Sequence, residues 1–191
     1  MRAFLFNTDT AIHAVLYILA QLKNKGISAD FIKIFKILYF ADREHLLKYG
    51  RTITGDVYIA MRQGPVPSLI YDIFKALRDG PNPFTQAPLL DDYFKVSEKY
   101  FVEALQDYDL DFLSQTDIEE LNDSINKYAK FDSKSLSAMS HGSAWKKTYA
   151  DAQMSFADIL KEIGADDDYI EYLQNNFATQ NAILNGVSAG C

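Results

Sequence analysis

The residues of this chain best suited to proton transfer are its three histidines, His13, His45 and His141. Asp42 stands three positions before His45, a spacing that makes the two side chains neighbours on a helix. An imidazole oriented by a carboxylate is the arrangement of a general base. The same pair has a structural reading, in which the two groups satisfy each other and the backbone of an adjacent strand, as buried polar groups must. The structural reading is preferred, because the other parts of a catalytic site are missing. The single cysteine, Cys191, is the last residue, and the sequence has no G-x-S-x-G elbow and no H-E-x-x-H. Gly64 lies in Gln63-Gly64-Pro65-Val66-Pro67, where two prolines leave too few N–H groups to cradle a phosphate. Asp166-Asp167-Asp168 could attract a cation, but three acids opening a helix are read as N-cap and dipole partners. No catalytic residue, metal ligand or cofactor is assigned. A small enzyme using Asp42 and His45, with His141 as a further candidate, is kept as an alternative.

The elements that would position these residues are mostly helical. Ala11, Ile12, Val15, Leu16, Leu19 and Leu22 recur at helical spacing over residues 9–24, and Gly26 is placed to stop that helix. Ser28 or Asp30 opens a second helix reaching Tyr49, before Gly50. Its apolar residues cover nearly every face, which predicts a central, buried helix. Residues 56–62 alternate, with Val57, Ile59 and Met61 on one side and Tyr58 and Ala60 on the other, as in a strand. Gly64-Pro65-Val66-Pro67 is expected to end that strand. A third helix follows from Pro67 or Ser68, then a loop at Asp79-Gly80-Pro81-Asn82-Pro83. Residues 93–96 and 100–105 predict a hairpin, giving with the earlier strand one three-stranded antiparallel sheet. The next helix opens at Ser114 or Thr116, and Thr116 to Glu119 reads as its capping box. Shorter helices are expected over 135–139, 142–150 and 155–163, and a longer one over 167–184.

The fold class is therefore α+β and predominantly helical, a multi-helix bundle with a small sheet. Residues 1–165 form one domain, 166–184 a C-terminal helix docked on it, and 185–191 a flexible tail. The chain of 191 residues is long enough to bury a core without disulfides. It carries 26 acidic against 19 basic residues, a net charge of -7, which argues against nucleic acid as a partner. Acidic proteins are better matched to basic protein partners. No apolar run reaches 18 residues, so no membrane partner is expected and the location is read as cytoplasmic.

Two blocks carry a family resemblance. The first runs Lys36-Ile37-Leu38-Tyr39-Phe40-Ala41-Asp42-Arg43-Glu44-His45 and continues as Tyr49-Gly50-Arg51-Thr52-Ile53-Thr54-Gly55-Asp56. The second is Tyr58-Ile59-Ala60-Met61-Arg62-Gln63-Gly64-Pro65-Val66-Pro67, with Ser68, Tyr71 and Asp72 after it. A weaker third element runs from Leu136 through Ser140-His141 to Ala144-Trp145. Together they resemble the Panacea-domain (SocA/PanA-like) antitoxin family, which includes phage-associated GepA-like proteins. The resemblance spans roughly residues 10–165.

The resemblance implies an antitoxin of a toxin–antitoxin system, encoded beside a toxin that it neutralises by direct contact. A SocA-like relative instead acts as an adaptor that delivers its toxin to a protease, so a protease or chaperone is a second class of partner. In structural terms, Gly50 and Gly55 are expected at unusual backbone angles, and Gly64, Pro65 and Pro67 at the turn into the third helix. Asp42 and Arg43 are expected to tie the second helix to that region. Asp56 and His45 belong to the same structural motif, and His141 and Trp145, four apart, should share one helical face. The residues expected to be exposed for a partner are Arg43, Tyr58, Arg62, Gln63, Tyr71 and Lys75.

Overall fold

The computed structural model describes residues 6–81 and 90–184. The expected tail over 185–191, with Cys191, and part of the loop after the third helix lie outside the described residues. Eight α-helices are found among the described residues: α1 (Thr8–Asn24), α2 (Phe31–Tyr49), α3 (Ser68–Asp79), α4 (Gln115–Tyr128), α5 (Ser133–Ser140), α6 (Ser143–Lys147), α7 (Phe156–Glu162) and α8 (Asp167–Leu184). Four short strands, β1 (Tyr58–Met61), β2 (Gly64–Pro67), β3 (Phe94–Val96) and β4 (Val102–Ala104), complete an α+β, mostly helical fold.

Helix α2 is the centre. Asp30 caps its start by accepting the Lys33 N–H at 2.8 Å, and Gly50 ends it in the left-handed region at φ 70°. Ile34, Ile37, Leu38 and Ala41 are fully buried, since the helix packs against α1, α4, α5, α7 and β2. A helix surrounded in this way must be apolar on all sides, which is what its sequence shows.

The single three-stranded sheet is not formed. β1 pairs antiparallel with β2, and β3 with β4, in two separate hairpins. The Gly64–Pro67 segment, expected to end the first strand, is itself the second strand. Its prolines are tolerated because of register. Pro65 and Pro67 face Ala60 and Tyr58, whose backbone groups turn to the other side and bond residues 151–154. Ala60 N–H donates to the Ala152 carbonyl at 2.9 Å, and Met154 N–H to that of Tyr58 at 2.8 Å. No N–H is needed from either proline. With both edges of β1 occupied, the second hairpin cannot join it. β4 is tied instead to the start of α2, Val102 N–H bonding the Ala29 carbonyl and Phe31 N–H that of Tyr100.

Two further expectations are corrected. The capping box of α4 is Ser114 with Asp117, each side chain bonding the other's backbone N–H, not Thr116 with Glu119, so of the two expected starts the helix takes Ser114. His141 and Trp145 lie on either side of a helix break, because α5 ends at Ser140 and α6 begins at Ser143. α8 packs through Ile170, Leu173 and Phe177 onto Leu46 and Leu160, a cluster separate from the main core. Asp166 caps it by accepting the Tyr169 N–H at 2.7 Å.

Candidate partner-binding site

Four charged or polar side chains of α2 are buried, Lys33, Lys36, Asp42 and His45, and the last three each hold a different piece of the fold near the first hairpin. Asp42, 1% exposed, accepts the Ile53 N–H at 2.7 Å and the Tyr58 hydroxyl at 2.7 Å, with the Thr54 hydroxyl at 3.4 Å. Burial lifts its carboxyl to about 6, while the Tyr58 and Ile53 bonds pull it back. It thereby fixes the loop entering β1. His45 is fully buried and does not bond Asp42. Its Nδ1 donates to the Arg51 carbonyl at 2.8 Å, and its Nε2 faces Asp117 Oδ1 at 3.0 Å and Thr116 Oγ1 at 3.1 Å. Burial pushes the Asp117 carboxyl up, but His45, Ser114 and Arg51 outweigh it and hold it at about 2. The Asp–His pair of the sequence is therefore two separate anchors, and neither has an open face.

Asp56 performs a task its neighbour cannot. Pro67, at the N-cap of α3, has no side chain to cap with, and Asp56 reaches across to accept the Leu69 and Ile70 N–H groups at 3.0–3.1 Å. Its charge sits at the positive end of the helix. Gly55, at φ 70°, makes the turn that brings it there.

The third buried group, Lys36, is 1% exposed and donates to the Pro65 carbonyl at 2.7 Å. Burial lowers its ammonium to about 7. Sequence reasoning quoted Lys36 only as part of a motif. The signal that could have found it is a lysine on a helix apolar on every face, which has no route to water. Gly64 fits between Lys36 and Ser140. At φ 95°, a Cβ on it would lie 2.2 Å from Ser140 Oγ and 3.1 Å from Lys36 Nζ. Nearby, His141 and Trp145 stack with ring centroids 3.8 Å apart, and the indole N–H donates to the Met61 carbonyl at 2.9 Å. Burial and the Lys36 and Lys146 charges lower the His141 imidazole.

The result is a hairpin tip held from beneath. Trp145 takes the Met61 carbonyl, the Ser137 hydroxyl takes that of Gln63 at 2.9 Å, and Lys36 takes that of Pro65. Arg62 and Gln63, at the tip, are exposed. They stand at the mouth of a groove of about 890 Å³ running between the two hairpins, with Phe35, Val66 and Tyr71 along it and Lys36 in its lining. Tyr71 is half-buried, edge-on to Phe35 at 6.0 Å, with Lys75 Nζ 5.4 Å from its ring. A second cleft, of about 660 Å³ between α1 and the β3–β4 hairpin, is lined by none of the six residues expected at a partner surface.

Of the six residues expected at a partner surface, the structure brings Arg62, Gln63 and Tyr71 into one groove, with Lys75 beside Tyr71. Tyr58 is not exposed. It is 4% accessible, because the inward side of β1 is the Tyr58–Ala60 side and its hydroxyl is spent on Asp42. Arg43 does not line the groove and does not tie α2 to the turn. It pairs with Glu162 of α7 at 3.4 Å and with Glu44 at 3.5 Å, lying over the Phe40 ring at 4.8 Å. Glu162 also accepts the Ala144 N–H at 2.7 Å, so Arg43 is part of the α2–α6–α7 junction.

Comparison with known proteins adds one finding. A family model described as "Antitoxin SocA-like, Panacea domain" matches residues 34–146, more than half of the chain. The matched stretch begins just before Lys36 on α2 and runs through both hairpins to Trp145. No curated protein and no solved structure matches.

Proposed function

The chain belongs to the SocA-like, Panacea-domain antitoxin family, and on that premise we propose that it neutralises a co-encoded toxin by binding it directly, without catalysing a reaction. The observation that carries this reading is the rigid presentation of Arg62 and Gln63. Their hairpin tip receives bonds to its carbonyls from α2, α5 and α6, so the backbone that carries them meets a partner already fixed. The adjoining groove offers Tyr71, an aromatic anchor of the type that dominates protein interfaces, backed by the buried Phe35 ring. The alternative of a small enzyme at Asp42 and His45 finds no support in the geometry, because both side chains are buried and bonded to backbone or to neighbouring side chains. Among the described residues no helix is long and apolar enough to cross a membrane.

The test is growth. The reading frame adjacent to the one encoding this chain is expressed in a bacterial host, alone and together with this protein. The expected outcome is arrest by the neighbour and relief on co-expression, with the neighbour's product undiminished on a blot. A harmless neighbour contradicts the antitoxin reading. Relief accompanied by loss of the neighbour's product, and abolished in a protease-deficient host, replaces neutralisation by binding with delivery to a protease.

A further inference from the structure

We propose that the groove between the two hairpins receives an extended acidic segment of the protein partner, a peptide bearing carboxylates on either side of an apolar side chain. The inference rests on the reading above that this groove is the contact face, and it adds the chemistry of what enters it.

Charge is the first observation. The chain as a whole is acidic, with a net charge of -7, yet the groove is not. Arg62 at one hairpin turn and Lys99 at the other are both exposed and line it, and neither belongs to an ion pair among the described residues. Two carboxylates also line it. Asp30, half-buried, spends its charge on the neighbouring Lys33 ammonium, whose charged form it favours. Only Asp151, exposed, offsets the two cations at the surface. An acidic segment is therefore attracted here while the rest of the surface repels it.

The second observation is the pairing of cations with rings. Lys75 Nζ stands 5.4 Å from the Tyr71 ring centroid; the Arg78 guanidinium, 4.4 Å from that of Tyr100, is already paired with Asp79 and holds that ring in place. Tyr100 in turn meets Phe31 edge-on at 5.4 Å. Each ring offers an apolar side chain a wall, and Lys75 beside Tyr71 and Lys99 next to Tyr100 are the cations there for a neighbouring carboxylate.

Backbone conformation marks the same place. Among the described residues, the two non-glycine residues with positive φ are Tyr100 at 66° and Asp151 at 59°, and both line this groove. Side chains held at such angles concentrate where a fold presents groups to a ligand. A volume of about 890 Å³ accommodates a short run of peptide. A nucleic acid strand fits less well, since its phosphates would continue past the groove onto a surface of the same sign.

The test is selection of a random peptide display library on the intact chain. The enriched peptides are resynthesised with a fluorophore and titrated by polarisation. Enriched sequences should be rich in Asp and Glu around an aromatic or aliphatic residue. Arg62→Glu and Lys99→Glu should each weaken binding by about tenfold or more, whereas Lys134→Glu, exposed on α5 and outside the groove lining, should not. Melting curves of the three variants confirm that they fold, and Arg62→Gln gives a neutral version should the reversal perturb the tip. No enrichment, enrichment of neutral or basic peptides, indifference to the two reversals, or equal competition by a short oligothymidylate overturns the proposal. The growth assay separates this outcome from the antitoxin reading. Relief of arrest by wild type together with a failed selection removes only the acidic segment. A successful selection with a harmless neighbour removes the antitoxin assignment and leaves the groove chemistry standing.

Discussion

Lys36 shows how a single residue can be read physically once its surroundings are known. Its ammonium lies at about 7 in the folded chain and 10.5 when exposed, because burial disfavours the charged form. Between those values the unfolded chain binds more protons than the folded one, so stability rises with pH from about 7 upward. Below 7 both states carry the proton and this contribution is flat. Lys36→Met should remove the rise, flattening the stability difference between pH 7 and 9 by about 2 kcal/mol in urea melts read at each pH. A variant whose pH profile matches wild type would show that Lys36 keeps its charge inside the fold. At this scale the sequence was informative about roles but not about which atoms meet. Asp42 and His45 are neighbours on α2, yet each bonds a segment distant in sequence, Asp42 the loop at Ile53 and His45 the start of α4 at Asp117. Helical spacing predicts adjacency, while burial decides who is bonded to whom. Tyr58 failed for the same reason, since alternation gives two faces and does not say which is inside.

At the scale of elements, helix starts and stops were legible where local chemistry sets them. Asp30, Gly50 and the Asp166 cap lie where the residue types place them. The sheet was not, because its pairing depends on which edges are already taken. Two prolines argue locally against a strand, and only the register against Ala60 and Tyr58 makes them acceptable. Gly64 is the point where that hairpin meets α2 and α5. Gly64→Ala would combine a φ of 95° with a methyl 2.2 Å from Ser140 Oγ, and should cost about 3 kcal/mol in chemical denaturation. Adding Ser140→Ala should recover only the part due to the contact. A neutral Gly64→Ala would mean that the tip is not fixed as described. α8 offers a second check. Gly50 admits Leu173 so closely that a Cβ would lie 2.9 Å from its Cδ2, so the helix is seated on the end of α2. Leu173→Ala should cost about 2–4 kcal/mol if α8 unfolds with the body. A lost α8 signal by hydrogen exchange with an unchanged main transition would show instead that α8 opens on its own.

The whole molecule combines a buried helix, two hairpins held apart by their own edge partners, and a groove between them. The helical α+β class and the family were legible in the sequence because both rest on contiguous motifs, Lys36–His45 and Tyr58–Pro67. The groove was only half legible. Arg62, Gln63 and Tyr71 come from those motifs, but Lys99, Tyr100 and Asp151 reach it through chain reversals that no local pattern encodes. On the proposed reading the protein acts by binding a partner to which it is already shaped, so its function should depend on surface side chains whose loss leaves the fold intact.

The measurement that tests this most directly is calorimetric titration of the purified chain with the purified product of the adjacent reading frame, for wild type and for Arg62→Ala/Gln63→Ala/Tyr71→Ala. Saturable binding by wild type, weakened at least a hundredfold (about 3 kcal/mol) in the triple variant with its melting temperature nearly unchanged, is the predicted result. Equal affinity of the two proteins, or relief of growth arrest with no complex formed in solution, would contradict neutralisation by direct contact at this groove.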